Sequence, residues 1–163
     1  MSTCPDAAER GKTLDHQENT NRKRILVVED NRMNLMLLHQ LLKAHGYEIL
    51  QTPEGWEAID LARNKQPDLI LMDIRLPDIS GLDVTRLLKQ DDQTKAIPII
   101  AVTAFAMPGD EKRVLEAGCA AYIAKPIILD NLLRAIQSIL SSSLPAVNSP
   151  QQIALQPAAA GTP

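Results

Sequence analysis

Five short runs dominated by branched and aliphatic residues recur along the middle of this chain, at 24–28, 48–51, 68–72, 97–102 and 121–124, and helical apolar spacing separates them. Strict alternation of strand-like and helix-like segments leaves few folds open. It is the mark of βαβ units, in which neighbouring strands run parallel and each connection crosses over through a helix. The spacing predicts helices over 32–44, 54–64, 81–89, 108–117 and 129–141, with Gly46 and Gly118 as C-terminal stops and Pro108 suited to a first turn. The first, third and fourth runs are almost continuously apolar, as strands buried on both faces must be, so they are placed at the centre of the sheet. The second, with Glu48 and Gln51, suits an edge. Right-handed crossovers put helices on both faces, giving an open, doubly wound (βα)5 α/β domain whose ligand site lies beyond the carboxyl ends of its strands. On the last helix, Leu129, Leu132, Leu133, Ile136 and Leu140 are expected in the core.

The flanks read differently. Residues 1–23 lack apolar periodicity, and 144–163 are rich in Pro and Ala, with Pro145, Pro150, Pro157 and Pro163, so both are expected to be disordered tails around a domain at 24–143. At 163 residues the chain has room for one domain of ordinary size. A formal charge of -3 without a basic run gives no electrostatic footprint for nucleic acid. No apolar stretch approaches the roughly 20 residues needed to span a bilayer, and no apolar leader segment opens the chain, so a cytoplasmic protein away from membranes is expected. Cys4 and Cys119 form neither a disulfide framework nor a zinc pattern, and Cys119 reads as a small, partly buried apolar residue.

The chemistry gathers at the strand ends. Glu29 and Asp30 follow the first strand, Asp73 follows the third, Thr103 ends the fourth and Lys125-Pro126 follows the fifth. Taken singly, each has a bland explanation: an acidic pair at a helix start, a turn aspartate, a β-branched strand residue, a solvated lysine. Together they occupy the corresponding ends of strands in one sheet, which independent surface placement rarely produces. Three carboxylates that converge repel one another unless a cation is bound, and a hard, oxygen-rich cluster with room for water suits Mg²⁺. With the ion bound, one carboxylate can act as a nucleophile toward phosphorus while the metal and the Lys125 ammonium neutralise phosphoryl oxygens, and the Thr103 hydroxyl can donate to one of them.

Val27-Val28-Glu29-Asp30-Asn31, the run from Leu71 through Asp73 to Pro77 with Gly81, Val102-Thr103-Ala104, and Lys125-Pro126 stand in this order along the chain. In these four motifs the chain resembles the receiver domain of two-component response regulators, over residues 24–141. The stretch from Asp73 to Leu82, followed by Ala101 to Met107, is most similar to the single-domain cell-cycle regulators of that family. The resemblance implies a flavodoxin-like sheet of order 2-1-3-4-5. It implies Asp73 as phosphoacceptor, Asp30 and Asp73 as Mg²⁺ ligands, Glu29 as a ligand acting through water, and the Arg75 backbone carbonyl as the remaining protein ligand. It further implies that Lys125 pairs with the phosphate, that the peptide before Pro126 is cis, and that Thr103 and Tyr122 form a switch pair. When phosphate draws Thr103 toward Asp73, the ring of Tyr122 turns into the space left behind. Arg75 and Phe105 stand two residues beyond Asp73 and Thr103, where water access to the acyl phosphate is set; a bulky Phe105 is expected to shield it.

On the first helix Leu35, Leu38, Leu41 and Leu42 account for the packing stripe, leaving Met33, Met36 and Leu37 at other angles beside the acidic pair. Met33 and Leu37 are the expected docking residues for a histidine kinase or phosphotransferase, since flexible methionines suit a surface that repacks. Met36 fits a buried filler equally well. Output is expected through a downstream kinase or scaffold protein, bound at the face of the fourth helix, fifth strand and fifth helix, with the chain monomeric and a phosphorylation-linked dimer left open. Three rival functions fare worse. A phosphatase of the haloacid dehalogenase type needs a carboxylate where Arg75 stands, so no turnover enzyme is expected. A flavodoxin would not place Glu29-Asp30 against a flavin phosphate, and too few residues follow Ser141 for an output domain.

Overall fold

The computed structural model of the protein describes residues 22–104 and 110–142. Its ten elements alternate as expected: β1 (Arg24–Val28), α1 (Arg32–Ala44), β2 (Glu48–Thr52), α2 (Gly55–Lys65), β3 (Leu69–Asp73), α3 (Gly81–Gln90), β4 (Ile99–Thr103), α4 (Asp110–Glu116), β5 (Ala121–Ala124) and α5 (Leu129–Ser141). All neighbouring strands are parallel, in the order β2-β1-β3-β4-β5. The polar second strand sits at an edge, and β1, β3 and β4 fill the centre.

Period-two alternation divides the core between the two faces of the sheet. Leu26, Val28, Ile70, Met72, Ile99 and Ala101 face a layer built from Ala58, Ile59 and Ala62 of α2, Leu82, Val84 and Leu88 of α3, and Val114 of α4. Ile25, Val27, Leu69, Leu71 and Ile100 face Leu35, Leu38 and Leu42 of α1 and Leu132, Ala135 and Ile136 of α5. A side chain buried as completely as Leu88 or Ile136 contributes roughly 1.5–3 kcal/mol by its removal from water.

Several boundaries differ from the sequence reading for identifiable reasons. β3 begins one residue later because Asp68 accepts hydrogen bonds from the Arg24 backbone N–H and the Lys23 ammonium, both at 2.8 Å. β4 begins at Ile99 because Pro98 has no N–H to give the ladder, although its carbonyl still accepts from Ile70 at 3.0 Å. α2 starts at Gly55, after an extended Glu54, and ends at Gln66 in the left-handed region at φ 47°. Residues 108 and 109 of the predicted fourth helix lie outside the described residues, as do 1–21 and 143–163. Leu129 is a correction: it opens α5 ahead of the stretch that covers the sheet and stays 37% exposed, while Leu132 and Ile136 are fully buried. Cys119 is buried beside the Thr85 hydroxyl, and burial pushes its thiol up to about 11.

Candidate functional site

β1 delivers Glu29 to the carboxyl edge of the sheet, where its N–H donates to the Thr52 carbonyl at the end of β2 (3.2 Å). Its side chain is 2% exposed. Oε1 accepts from the Asn31 N–H and the Asn34 amide, both at 3.3 Å, and Oε2 accepts from Lys125 Nζ at 2.9 Å. Asp73 is the last residue of β3 rather than a residue beyond it, and it is buried. Its Oδ1 accepts from the Arg75 N–H at 2.9 Å and its Oδ2 from Lys125 Nζ at 2.5 Å. A buried, hydrogen-bonded strand terminus is not the place of an ordinary turn aspartate.

Lys125 lies just past β5, fixed by its own N–H donating to the Thr103 carbonyl at 2.7 Å, so the end of β4 aims the ammonium at both acids. Burial alone would lower its pKa; the hydrogen bonds and charges of Asp73 and Glu29 outweigh it and hold the pKa above its ordinary value. The Lys125-Pro126 peptide is cis. Asp30 completes the cluster from the solvent side, and oxygens of Glu29, Asp30 and Asp73 lie within 4.8 Å of one another.

This donor set fits a magnesium ion. Every side-chain donor is a carboxylate oxygen, and three carboxylates against one ammonium leave two negative charges, the complement of a divalent cation. The exposure of Asp30 leaves room for the water ligands that Mg²⁺ retains. Arg75, Leu76 and Pro77 line the cleft together with Arg32, Met33 and Asn34.

The floor depends on a glycine. A Cβ on Gly81 would lie 2.0 Å from the Asp73 carbonyl oxygen, so the start of α3 reaches the backbone of Asp73 only because residue 81 has no side chain. Its N–H donates to the Ile74 carbonyl (2.9 Å), while the Ile74 N–H donates to Val102 on β4 (3.1 Å). The backbone that follows Asp73 is thereby tied to both flanking elements.

Thr103 is buried at the end of β4, and Tyr122 pairs in register with Ala101 two residues earlier, so Thr103 and Tyr122 share one face of adjoining strands. The Tyr122 ring is half-buried against the core, and burial together with the Glu111 carboxylate of α4 raises the pKa of its phenol. Met33 is 70% exposed and Leu37 66%, both on the outer side of α1. Met36, for which the sequence left two readings, is 55% exposed and is not a core filler. Phe105 lies outside the described residues.

Some of the site escaped the sequence reading. Asn31 caps α1, its side chain accepting from the N–H groups of Met33 (3.0 Å) and Asn34 (3.2 Å); an Asn one residue before a helical pattern is a legible signal. Asn34 reaches Glu29 five residues back across that cap, which no pattern announces. Ile128, the N-cap residue of α5, is 52% exposed.

Comparison with known proteins agrees with this geometry. Residues 25–137 match the family model described as the response regulator receiver domain. The chain is 53% identical over 121 residues to the polar-differentiation response regulator DivK of Brucella anthropi, an alignment covering 74% of this chain and 98% of that protein. It is 52% identical over the same length to the DivK of Brucella ovis, with the same coverage. Among solved structures, the receiver domain of a sensor histidine kinase from Pseudomonas aeruginosa, with a magnesium ion coordinated in its active-site cleft, superposes with a TM-score of 0.70 at 36% identity, covering 74% of this chain and 99% of that one. A CheY-like receiver domain from Methanospirillum hungatei gives 0.69 at 32% identity, covering 74% and 94%. Receiver domains interact with histidine kinases or phosphotransferases in two-component systems, and by the family match over 25–137, the likeness to its relatives and the 2-1-3-4-5 sheet this chain belongs to the response regulator receiver domain family.

Proposed function

We propose that the chain is a single-domain phosphorylation switch in which Asp73 accepts a phosphoryl group from a phosphohistidine and the domain then binds other proteins differently. The observation that carries this reading is the pairing of Lys125 with both Asp73 and Glu29 at the strand ends, beside an exposed Asp30. Asp30, Asp73 and the Arg75 carbonyl would hold Mg²⁺ directly and Glu29 through water, in keeping with a Glu29 already enclosed by Lys125, Asn31 and Asn34. The ion, when bound, neutralises charge on the transferring oxygens. An Asp73 carboxylate oxygen attacks phosphorus, the phosphorus–nitrogen bond of the donor breaks, and the histidine leaves with the bonding pair. Lys125 follows the charge from carboxylate to phosphoryl oxygen. Thr103 donates its hydroxyl to another of those oxygens, and Tyr122, on the same face, takes up the space Thr103 leaves.

Met33 and Leu37, joined by Met36, offer the donor an apolar surface whose upper end, at Met33, borders the cleft. The domain spans 24–143 in this reading, assists its own phosphorylation and dephosphorylation, and turns over no separate substrate. It works in the cytoplasm as a monomer before activation. The likeness to the polar-differentiation regulators of Brucella supports a role in cell-cycle or developmental control, exercised through a downstream kinase or scaffold at the α4–β5–α5 face. Incubation with Mg²⁺ and acetyl phosphate, followed by intact mass, tests the chemistry. The wild type gains one phosphoryl group and Asp73→Asn gains none; a wild type without adduct, in the presence of an active donor, refutes it.

A further inference from the structure

The start of α2 is capped from outside its own neighbourhood. Glu54 occupies the N-cap position and makes no side-chain cap bond. Instead Asp78, in the segment linking β3 to α3, accepts from the Gly55 N–H through Oδ1 and from the Trp56 N–H through Oδ2, each at 3.0 Å. A helix leaves its first N–H groups without intrahelical partners, and one ionised carboxylate satisfies two of them here while meeting the positive end of the helix dipole. Burial raises the Asp78 pKa, but the N–H groups of Gly55 and Trp56, with those of Asp78 itself and Ile79, outweigh it and hold the carboxyl below its ordinary value.

Packing reinforces the same junction. A Cβ on Gly55 would lie 2.5 Å from Ile79 Cγ2 and 2.8 Å from Val84 Cγ2, so α2 seats directly on the linking segment because Gly55 is bare. Between its anchors at Ile74 and Gly81, the segment 75–80 is joined to the start of α2 through the Asp78 carboxylate. Arg75, whose carbonyl faces the metal in the proposed function, lies within that span.

We infer that Asp78 is a positioning residue for the metal site: by clamping the β3–α3 segment to the N-terminus of α2 it holds the Arg75 carbonyl where Mg²⁺ needs it. The inference rests on the proposed Mg²⁺-dependent phosphoacceptor function. Asp78 touches neither ion nor phosphate, so its removal weakens metal binding while every direct ligand remains. Groups that orient metal ligands from behind typically change affinity by about 10–100-fold when removed, which sets an expectation of about tenfold for Asp78→Ala.

The test is a Mg²⁺ titration by calorimetry on the full chain, run on wild type, Asp78→Ala and the double variant Asp78→Ala with Glu54→Asp. The double variant gives α2 a local cap and restores its stability without rejoining helix to segment. Asp78→Ala raises the Mg²⁺ dissociation constant about tenfold, the double variant recovers the melting temperature but not the affinity, and saturating Mg²⁺ returns the rate of phosphorylation by acetyl phosphate. Affinity within twofold of wild type in Asp78→Ala, or affinity that returns together with melting temperature in the double variant, overturns the inference and leaves the proposed function standing. A wild type that binds no Mg²⁺ removes the proposed function and this inference with it.

Discussion

Replacing Gly81 with alanine tests how tightly the site geometry depends on the start of α3. The added methyl would meet three backbone atoms: the Asp73 carbonyl oxygen at 2.0 Å, its carbonyl carbon at 2.9 Å and Ile74 Cα at 3.0 Å. Favourable contact begins near 3.5 Å, so the backbone of Asp73 and the first turn of α3 must separate by about 1 Å or more. No flexible side chain is available to absorb this. Asp73 is held in register with Val102 on β4, and Gly81 is bound to the Ile74 carbonyl. Forced overpacking of this kind costs about 1–3 kcal/mol. A displacement of about 1 Å at a reacting atom lowers rate about 100-fold, so the chemical loss exceeds what the stability loss alone produces. The assay is the rate of phosphorylation by acetyl phosphate at saturating Mg²⁺, alongside a thermal melt. Gly46→Ala serves as control: Gly46 has φ +86° with nothing within 4 Å of its Cβ position, so alanine there strains the backbone by about 1–2 kcal/mol far from the site. Gly81→Ala loses most of its rate and Gly46→Ala keeps it at similar loss of stability. A Gly81→Ala protein that phosphorylates at the wild-type rate refutes the close approach on which the reasoning rests.

Lys125→Gln leaves the buried Glu29 and Asp73 without their cation; urea unfolding without metal should show a loss of about 1–3 kcal/mol that Mg²⁺ partly restores, with phosphorylation slowed about 100-fold or more. Stability should fall on the alkaline side. Cys119 and Lys125 both have raised pKa values in the folded state, so their contributions are complete below the ordinary values of 9.0 and 10.5 and disappear as pH climbs through the folded ones, that of Cys119 at about 11; melting temperatures from pH 7 to 11.5 check the sign. The same burial predicts that Cys119 resists iodoacetamide at pH 8 until denaturant is added, as read by peptide mass. Replacing Met33 and Leu37 with Ser should slow transfer from a partner phosphohistidine about tenfold while sparing acetyl phosphate; equal slowing with both donors contradicts docking on α1.

The apolar runs determined the strands, because a strand buried on both faces has no alternative to continuous Val, Ile and Leu. β1 and β5 and the helices α1 and α5 have the limits that periodicity predicts, and polarity placed β2 at an edge. The clustering of the acids with Lys125 was legible for a related reason: in a parallel sheet every carboxyl end lies on one edge, so residues far apart in sequence become neighbours once the strands are known. What only the tertiary structure decided concerns distances between elements whose separation along the chain carries no local signal. Asp78 caps a helix that begins 23 residues before it, an interaction fixed by how α2 settles on α3. Gly81 looked like a helix start, and its contact with the Asp73 carbonyl exists only because packing drives α3 against the end of β3. Leu129 repeats the spacing of its buried neighbours yet stays partly in water, because periodicity specifies the angle a side chain faces but not whether anything lies opposite.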